Sequence, residues 1–215
     1  MQAEPRGDLP QIEFDGDGLV PCVAQDWATG EVLTLAYMNR EALERTLESG
    51  EIHFWSRSRG ELWHKGETSG NVQRLRSLRY DCDADALLAL VEPAGPACHT
   101  GERTCFHRTI GAQAIATHEA LPALARTLAA RHREMPEGSY TAELFRAGPE
   151  RMGAKVEEEA EEVARAGREE TDERVSSEAA DLLYHLGVVL EARGLSFSDA
   201  LAELVARMDS APTAH

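Results

Sequence analysis

Cysteine is scarce in this sequence. Cys22, Cys82, Cys98 and Cys105 are the only four in 215 residues, too few to frame a chain of this length with disulfides. Basic residues are scarce as well. Lys and Arg number 22 against 38 Asp and Glu, a formal charge of −16, which disfavours nucleic-acid binding through a general basic surface. Anionic substrates then have to be held by local arginines or by metals. No stretch approaches the roughly 18 consecutive apolar residues of a membrane span, and MQAEPRGDLPQIEFDGDG has neither the basic start nor the apolar stretch of a leader. The expected setting is the cytosol, where thiols stay reduced or bind metal. No internal repeat is visible. The 42% hydrophobic and 28% charged residues suit one large or two small globular cores.

Tryptophan and cysteine disappear after about residue 110, and this divides the chain. Before it, Trp27, Trp55 and Trp63 lie among short apolar runs broken by Gly and Asp. Val32, Leu33, Leu35 and Tyr37 read as a strand, and residues 52–55, 72–80 and 87–91 as further strands. Asn39 is placed to cap a short helix carrying Leu43 and Leu47, closed by Gly50. After it, Ala, Glu, Leu and Arg dominate, a helical composition. Leu121, Leu124 and Leu128 follow helical spacing, as do Val175, Leu182, Leu186, Val189 and Leu190. Gly194 can end that second helix, and Ser196 with Asp199 resembles a capping box opening the next. The expected architecture is two domains: a β-rich α+β metal-binding domain over residues 1–110, a linker over 111–118, and an all-α bundle over 119–215.

The first half concentrates metal-binding chemistry. In DCDAD, Asp81, Asp83 and Asp85 alternate, so on an extended chain they share one side and Cys82 takes the other. Carboxylates suit Mg²⁺ and a thiolate suits Zn²⁺; an acidic turn is the plain alternative. Cys98 and Cys105 in PACHTGERTC have six residues between them and can reach one ion from a loop. Three cysteines plus a water form a catalytic type of zinc site, whereas His99 or His107 as a fourth ligand would close it into a structural one. Cys22 has no partner pattern and reads as a small core residue. Between these motifs, FWSRSRGELWHKGETSGN supplies Arg57, Arg59 and Lys65, with Gly66, Thr68, Ser69 and Gly70 permitting backbone approach to an anion. Taken alone it is either a phosphate-binding or a solvated polar loop.

The blocks VAQDWATGEVLTLAYMNREAL, FWSRSRGELWHKGETSGNVQ, DCDAD and GPACHTGERTCF, in order over residues 18–107, resemble phosphoribosyl-AMP cyclohydrolase of histidine biosynthesis. The resemblance implies zinc at Cys82, Cys98 and Cys105, magnesium at Asp81, Asp83 and Asp85, and a homodimer whose zinc ligands come from both subunits. His99, beside a zinc thiolate, becomes the candidate for proton transfer to the departing nitrogen.

The second half concentrates glutamate. KVEEEAEEVARA alone would be a solvated acidic helix. However, Glu178 and Asp181 lie at i, i+3 in SEAADLLYHLGVVL, flanking its apolar stripe. At about 100° per residue, Glu158, Glu159 and Glu162 span one arc of a helix, so two helices can bring carboxylates together around Mg²⁺. EExxE followed by ExxD resembles the all-α nucleotide pyrophosphohydrolases, and more narrowly residues 119–208 resemble phosphoribosyl-ATP pyrophosphatase. That resemblance implies magnesium at Glu159, Glu162, Glu178 and Asp181, with Glu158 as an outer base or further ligand and Lys155 meeting a phosphate.

Together the two resemblances imply a bifunctional, nucleotide-binding enzyme acting on phosphoribosyl-ATP and then on phosphoribosyl-AMP, with Zn²⁺ and Mg²⁺ as cofactors and no nucleic-acid or membrane partner. Two rivals stand beside it. One is a zinc nucleobase deaminase joined to a general nucleotide pyrophosphohydrolase, weakened because HxE with PCxxC is absent: Cys22 follows Pro21, but position 25 is Gln25. The other is a non-catalytic zinc-stabilised module joined to a helical dimerisation bundle.

Overall fold

A computed structural model describes residues 11–111 and 115–210. The chain forms two compact units that divide between residues 114 and 115. The expected linker lies partly outside the described residues, and its far end, from Thr117, already belongs to a 3-10 turn, Thr117–Glu119.

The first unit carries β1 (Val20–Asp26), β2 (Val32–Met38), α1 (Arg40–Ser49), β3 (His53–Ser56), β4 (Glu61–His64), β5 (Gln73–Tyr80) and β6 (Leu87–Pro93). These strands form one sheet in the order β4-β3-β2-β1-β6-β5. Strands β1 and β6 are parallel; every other pair is antiparallel. At the far edge β5 also meets the chain ahead of β3, with Ile52 N–H donating to Gln73 O at 3.0 Å and Leu75 N–H to Gly50 O at 2.8 Å. The sheet thereby curls into a half-barrel. Along β1 every second residue, Val20, Cys22, Ala24 and Asp26, turns inward, the period-2 signature of a strand. Val20, Cys22, Leu33, Met38, Ile52, Phe54 and Val91 are fully buried, and a large apolar side chain so buried contributes about 1.5–3 kcal/mol.

Local signals place α1. Asn39 Oδ1 accepts from Ala42 N–H at 2.9 Å, and Gly50 ends the helix at φ 71°. Leu43 is buried, but Leu47 is exposed. The inward face runs through Ala42, Leu43 and Thr46 instead, because the Thr46 hydroxyl ties the helix to β3 by accepting from His53 N–H at 2.8 Å. Two strands were not legible in the sequence. Pro21 and the polar end Gln25–Asp26 break the apolar pattern of β1, and β4 lies inside the polar stretch that reads as a loop.

The second unit is helical among the described residues: α2 (Ala120–Glu134), α3 (Tyr140–Ala147), α4 (Pro149–Glu169), α5 (Asp172–Ala192) and α6 (Phe197–Ser210). No described helix is long and apolar enough to cross a membrane. Pro149 opens α4, where a missing N–H costs nothing. Thr171 caps α5, so the two long helices are joined by a turn too short for anything but antiparallel neighbours. Leu128, Leu144, Met152 and Val188 form the core. Gly187 lets α2 and α6 approach α5: a methyl group there would lie 2.8 Å from Leu128 Cδ1 and 2.9 Å from Phe197 Cζ. Asp199 Oδ2 accepts from Ser196 N–H at 2.7 Å and from its hydroxyl at 2.8 Å, the expected start of α6. On α5 the buried residues are Glu178, His185, Gly187 and Val188, not the leucine stripe. The interior face of this helix is therefore partly charged.

Candidate functional site

DCDAD is the turn between β5 and β6, and this corrects the extended reading. Asp81 Oδ1 accepts from Asp85 N–H at 3.0 Å and from Ala86 N–H at 3.1 Å, while Ala84 adopts φ 62°. An aspartate that captures the amides of its own turn curls the chain. The carboxylates converge all the same: one oxygen from each of Asp81, Asp83 and Asp85 falls within 4.8 Å of the others. The charges of Asp83 and then Asp81 raise the Asp85 pKa above its ordinary value. At Asp81, desolvation is outweighed by hydrogen bonds, first from the Ala86 amide, and the pKa is lowered. Such a self-repelling oxygen cluster fits a hard divalent cation.

Cys98 and Cys105 occupy a loop held at several points. Cys98 N–H donates to Glu102 O at 3.0 Å, Gly101 N–H to Cys98 O at 3.1 Å, and Cys105 N–H to Leu33 O at 2.8 Å. Arg103 reaches back to the β1–β2 turn, with Nη2 2.6 Å from Asp26 Oδ2 and Nε 2.5 Å from Glu31 Oε2. The Thr100 hydroxyl donates to Cys98 Sγ at 3.1 Å. That contact and the Thr100 backbone hold the Cys98 thiol below its ordinary pKa against burial, with smaller help from Cys105 and His99. All four cysteines are free thiols, and a thiol held toward thiolate, as Cys98 is, suits zinc. Yet among the described residues Cys82, Cys98 and Cys105 do not meet at one point of a single chain, and neither histidine closes a site with Cys98 and Cys105. His99 Nδ1 lies 3.9 Å from Cys98 Sγ; His107 Nδ1 faces Thr104 O at 3.0 Å.

The basic stretch splits into two fates. Arg57 lies over the Tyr37 ring, 3.8 Å from its centroid. Arg59 pairs with Glu61 at 3.0 Å, and Thr68 and Ser69 are exposed. Lys65 departs from the expectation of an outward phosphate ligand. It is 7% exposed, and its Nζ donates to Ala97 O at 2.6 Å. Burial lowers its pKa, opposed by Cys105 and Cys98. Gly66 follows in the left-handed region at φ 90°, where a Cβ would sit 2.3 Å from the Asn71 carbonyl carbon.

In the second unit α4 and α5 bring Glu159, Glu178 and Asp181 together, one oxygen of each within 4.8 Å of the others. Glu159 and Glu178 are buried. Glu162 stands beside Glu178 rather than within the group of three: desolvation, opposed by Arg174, raises the Glu178 pKa, with Glu162 and Asp181 adding to the rise. Cations of the same helices meet this charge. Lys155 Nζ lies 2.7 Å from Glu159 Oε1 and 2.9 Å from Glu158 Oε2. Arg174 pairs with Glu178 and with Glu170 at 3.2 Å, and Arg165 reaches Glu162 at 3.7 Å. His185 Nε2 is 3.5 Å from Glu159 Oε1. Three carboxylates this close, two of them buried, fit a divalent metal, whose charge would add to that of Lys155 and Arg174.

Comparison with known proteins matches each of the two units to a family. Residues 34–107 match the phosphoribosyl-AMP cyclohydrolase family, and residues 121–208 match the phosphoribosyl-ATP pyrophosphohydrolase family. The histidine biosynthesis bifunctional protein HisIE of Bacillus subtilis (strain 168) is 52% identical over 198 residues, covering 92% of this chain and 95% of its own. Its counterpart in Thermus thermophilus is 50% identical over 192 residues, 89% of this chain and 90% of its own. This chain belongs to the bifunctional HisIE family. It is a hydrolase of histidine biosynthesis with the cyclohydrolase domain first and the pyrophosphohydrolase domain second. The matches favour neither the deaminase reading nor the non-catalytic module.

Sequence reasoning missed several residues of these domains. His185 follows Asp181 by one helical turn, and that i, i+4 spacing toward an acidic cluster was the available signal. Arg174 and Glu178 share the same spacing. Arg103, flanked by the two cysteines, gave no local sign of its partners, since Asp26 and Glu31 lie more than seventy positions away.

Proposed function

We propose that the two reactions of this bifunctional enzyme run at separate metal-dependent active sites, one in each unit, with residues 111–118 as the join. The pyrophosphohydrolase domain cuts phosphoribosyl-ATP between its α- and β-phosphates, releasing pyrophosphate and phosphoribosyl-AMP. Glu159, Glu162, Glu178 and Asp181 would hold Mg²⁺, which would neutralise the triphosphate and lower the pKa of the attacking water. Glu158, at the exposed edge of the cluster, takes that water's proton. Lys155 meets a phosphate oxygen. The observation that carries this reading is the convergence of Glu159, Glu178 and Asp181, two of them buried, from two helices.

The cyclohydrolase domain then adds water at C6 of the adenine ring and breaks the N1–C6 bond. Cys82, Cys98 and Cys105 would hold Zn²⁺, which would supply water of lowered pKa, toward about 7, and Asp81, Asp83 and Asp85 would hold Mg²⁺. His99 delivers the proton to N1 as the bond breaks. Arg57, Arg59, Thr68 and Ser69 bind the substrate phosphate. Because Cys82 lies apart from the other two thiols within one chain, the zinc site is completed by a second copy, giving a homodimer with shared ligands. Thiol usage and the lack of a membrane-spanning helix among the described residues support a cytosolic setting.

Separation of function tests this reading. Folded Asp181→Ala should release no pyrophosphate from phosphoribosyl-ATP yet open the ring of supplied phosphoribosyl-AMP. Cys98→Ala should release pyrophosphate and accumulate phosphoribosyl-AMP. If folded Asp181→Ala lost both activities on their own substrates, or neither, the two sites would not be separate.

A further inference from the structure

We propose that Lys65 is a positioning residue for zinc: its buried amino group holds the Ala97 carbonyl, and so sets where the Cys98 sulfur stands. The inference rests on the reading of Cys98 and Cys105 as zinc ligands.

A lysine that is 7% exposed has given up most of its hydration, which is unfavourable unless its donors are used. Here one donor is directed at a single backbone oxygen, Ala97 O at 2.6 Å, on the residue before Cys98. The lysine's own backbone is fixed, its N–H donating to Ile52 O at 2.9 Å. The Trp63 ring flanks the amino group, 5.3 Å from the ring centroid. Gly66 then turns the chain in the left-handed region, pressed against the Asn71 backbone.

The cysteine loop has other clamps, but they act at its far end. Arg103 binds Asp26 and Glu31, Thr104 Oγ1 donates to Val32 O at 2.6 Å, and Cys105 N–H is held by Leu33. At the Cys98 end, Ala97 N–H and Cys98 N–H only bond within the loop, to Arg103 O and Glu102 O. Beside the burial of Ala97 in the core and the Ala94 N–H bond to Val72 O at 2.9 Å, Lys65 supplies the polar side-chain tie at this end. It also places a cationic group where it interacts electrostatically with both thiols.

The test uses full-length Lys65→Met, which keeps the length and burial of the side chain and removes the donor. Metal analysis first establishes zinc in the wild-type protein; its absence would remove the zinc reading itself. Zinc loss to a chromophoric chelator is then timed. Loss should be at least about tenfold faster in Lys65→Met, the scale seen when a residue supporting a metal ligand is removed, while KM for phosphoribosyl-AMP stays within about twofold and kcat falls. Zinc loss at the wild-type rate would overturn the inference, and a raised KM with zinc held normally would return Lys65 to phosphate binding. Emission from Trp27, Trp55 and Trp63, all in this unit, reports whether the variant is folded. If it is not, Lys65→Arg decides. Its planar head cannot reproduce the same bond in that pocket, so zinc loss should again be faster, and an unchanged rate would overturn the proposal.

Discussion

Lys155 places its ammonium 2.7 Å from Glu159 Oε1, one turn along α4, with both side chains largely buried. Glu158 and then Glu159 hold its pKa above the usual lysine value. The contribution is therefore complete below the unfolded lysine pKa and is lost only as pH rises through the folded one. Lys155→Met leaves a buried carboxylate without its partner and should lower stability at neutral pH by about 2 kcal/mol. Millimolar Mg²⁺ should recover much of that loss by binding the folded cluster. Denaturant titrations with chelator and with Mg²⁺ measure both; equal losses under the two conditions would separate Lys155 from the metal cluster.

The proposed sharing of zinc ligands predicts complementation between inactive chains. Cys82→Ala and Cys98→Ala should each lack cyclohydrolase activity. Mixed and allowed to exchange subunits at equal amounts, they should recover about a quarter of wild-type activity, because half the dimers are mixed and each of these has one intact site. No recovery, with subunit exchange verified by mass, would mean that one chain supplies all its own ligands.

Gly66 is expected to tolerate no side chain. At φ 90° its Cβ would lie 2.3 Å from Asn71 backbone atoms, which cannot yield as a side-chain tip can. Gly66→Ala should cost at least about 3 kcal/mol from strain and overlap. The cost appears in a melt monitored by tryptophan emission. A melt within a degree of wild type would show that this turn relaxes freely.

Cys22 should be chemically silent in the folded protein. Burial raises its pKa to about 12, with a smaller opposing effect of the Ala89 backbone. An acid with a raised pKa is neutral and undisturbing below its unfolded value near 9.0, and destabilises the fold as pH climbs above that value. After chelation at pH 8, exposed Cys82 and Cys105 should react with a thiol reagent within minutes, and Cys22 only on unfolding. Modification of Cys22 in the folded state would contradict its place in the core.

Local signals were read reliably from the sequence because their partners lie within a few residues. Asn39 and Gly50 bound α1, and Ser196 with Asp199 opens α6. The three aspartates of DCDAD do converge, but through the hydrogen bonds of a turn, whereas an alternation argument assumes an extended backbone. Periodicity identified α5 as a helix and misjudged its interior. A repeat reports that a helix has faces; which face is buried depends on the neighbour, and α4 offers carboxylates there, so Glu178 and His185 are the buried pair.

Composition and contacts inside a turn or two were enough to read, from the residues alone, the two-part organisation, both ends of α1, the start of α6 and the residue types able to hold metal. Only the tertiary structure decided the parallel pairing of β1 with β6, the inward turn of Lys65 onto Ala97, the clamp of Arg103 on Asp26 and Glu31, and the separation of Cys82 from Cys98 and Cys105. Each joins residues far apart along the chain or depends on which way a flexible side chain turns, and a buried polar group takes its direction from whichever partner the packed fold brings within reach.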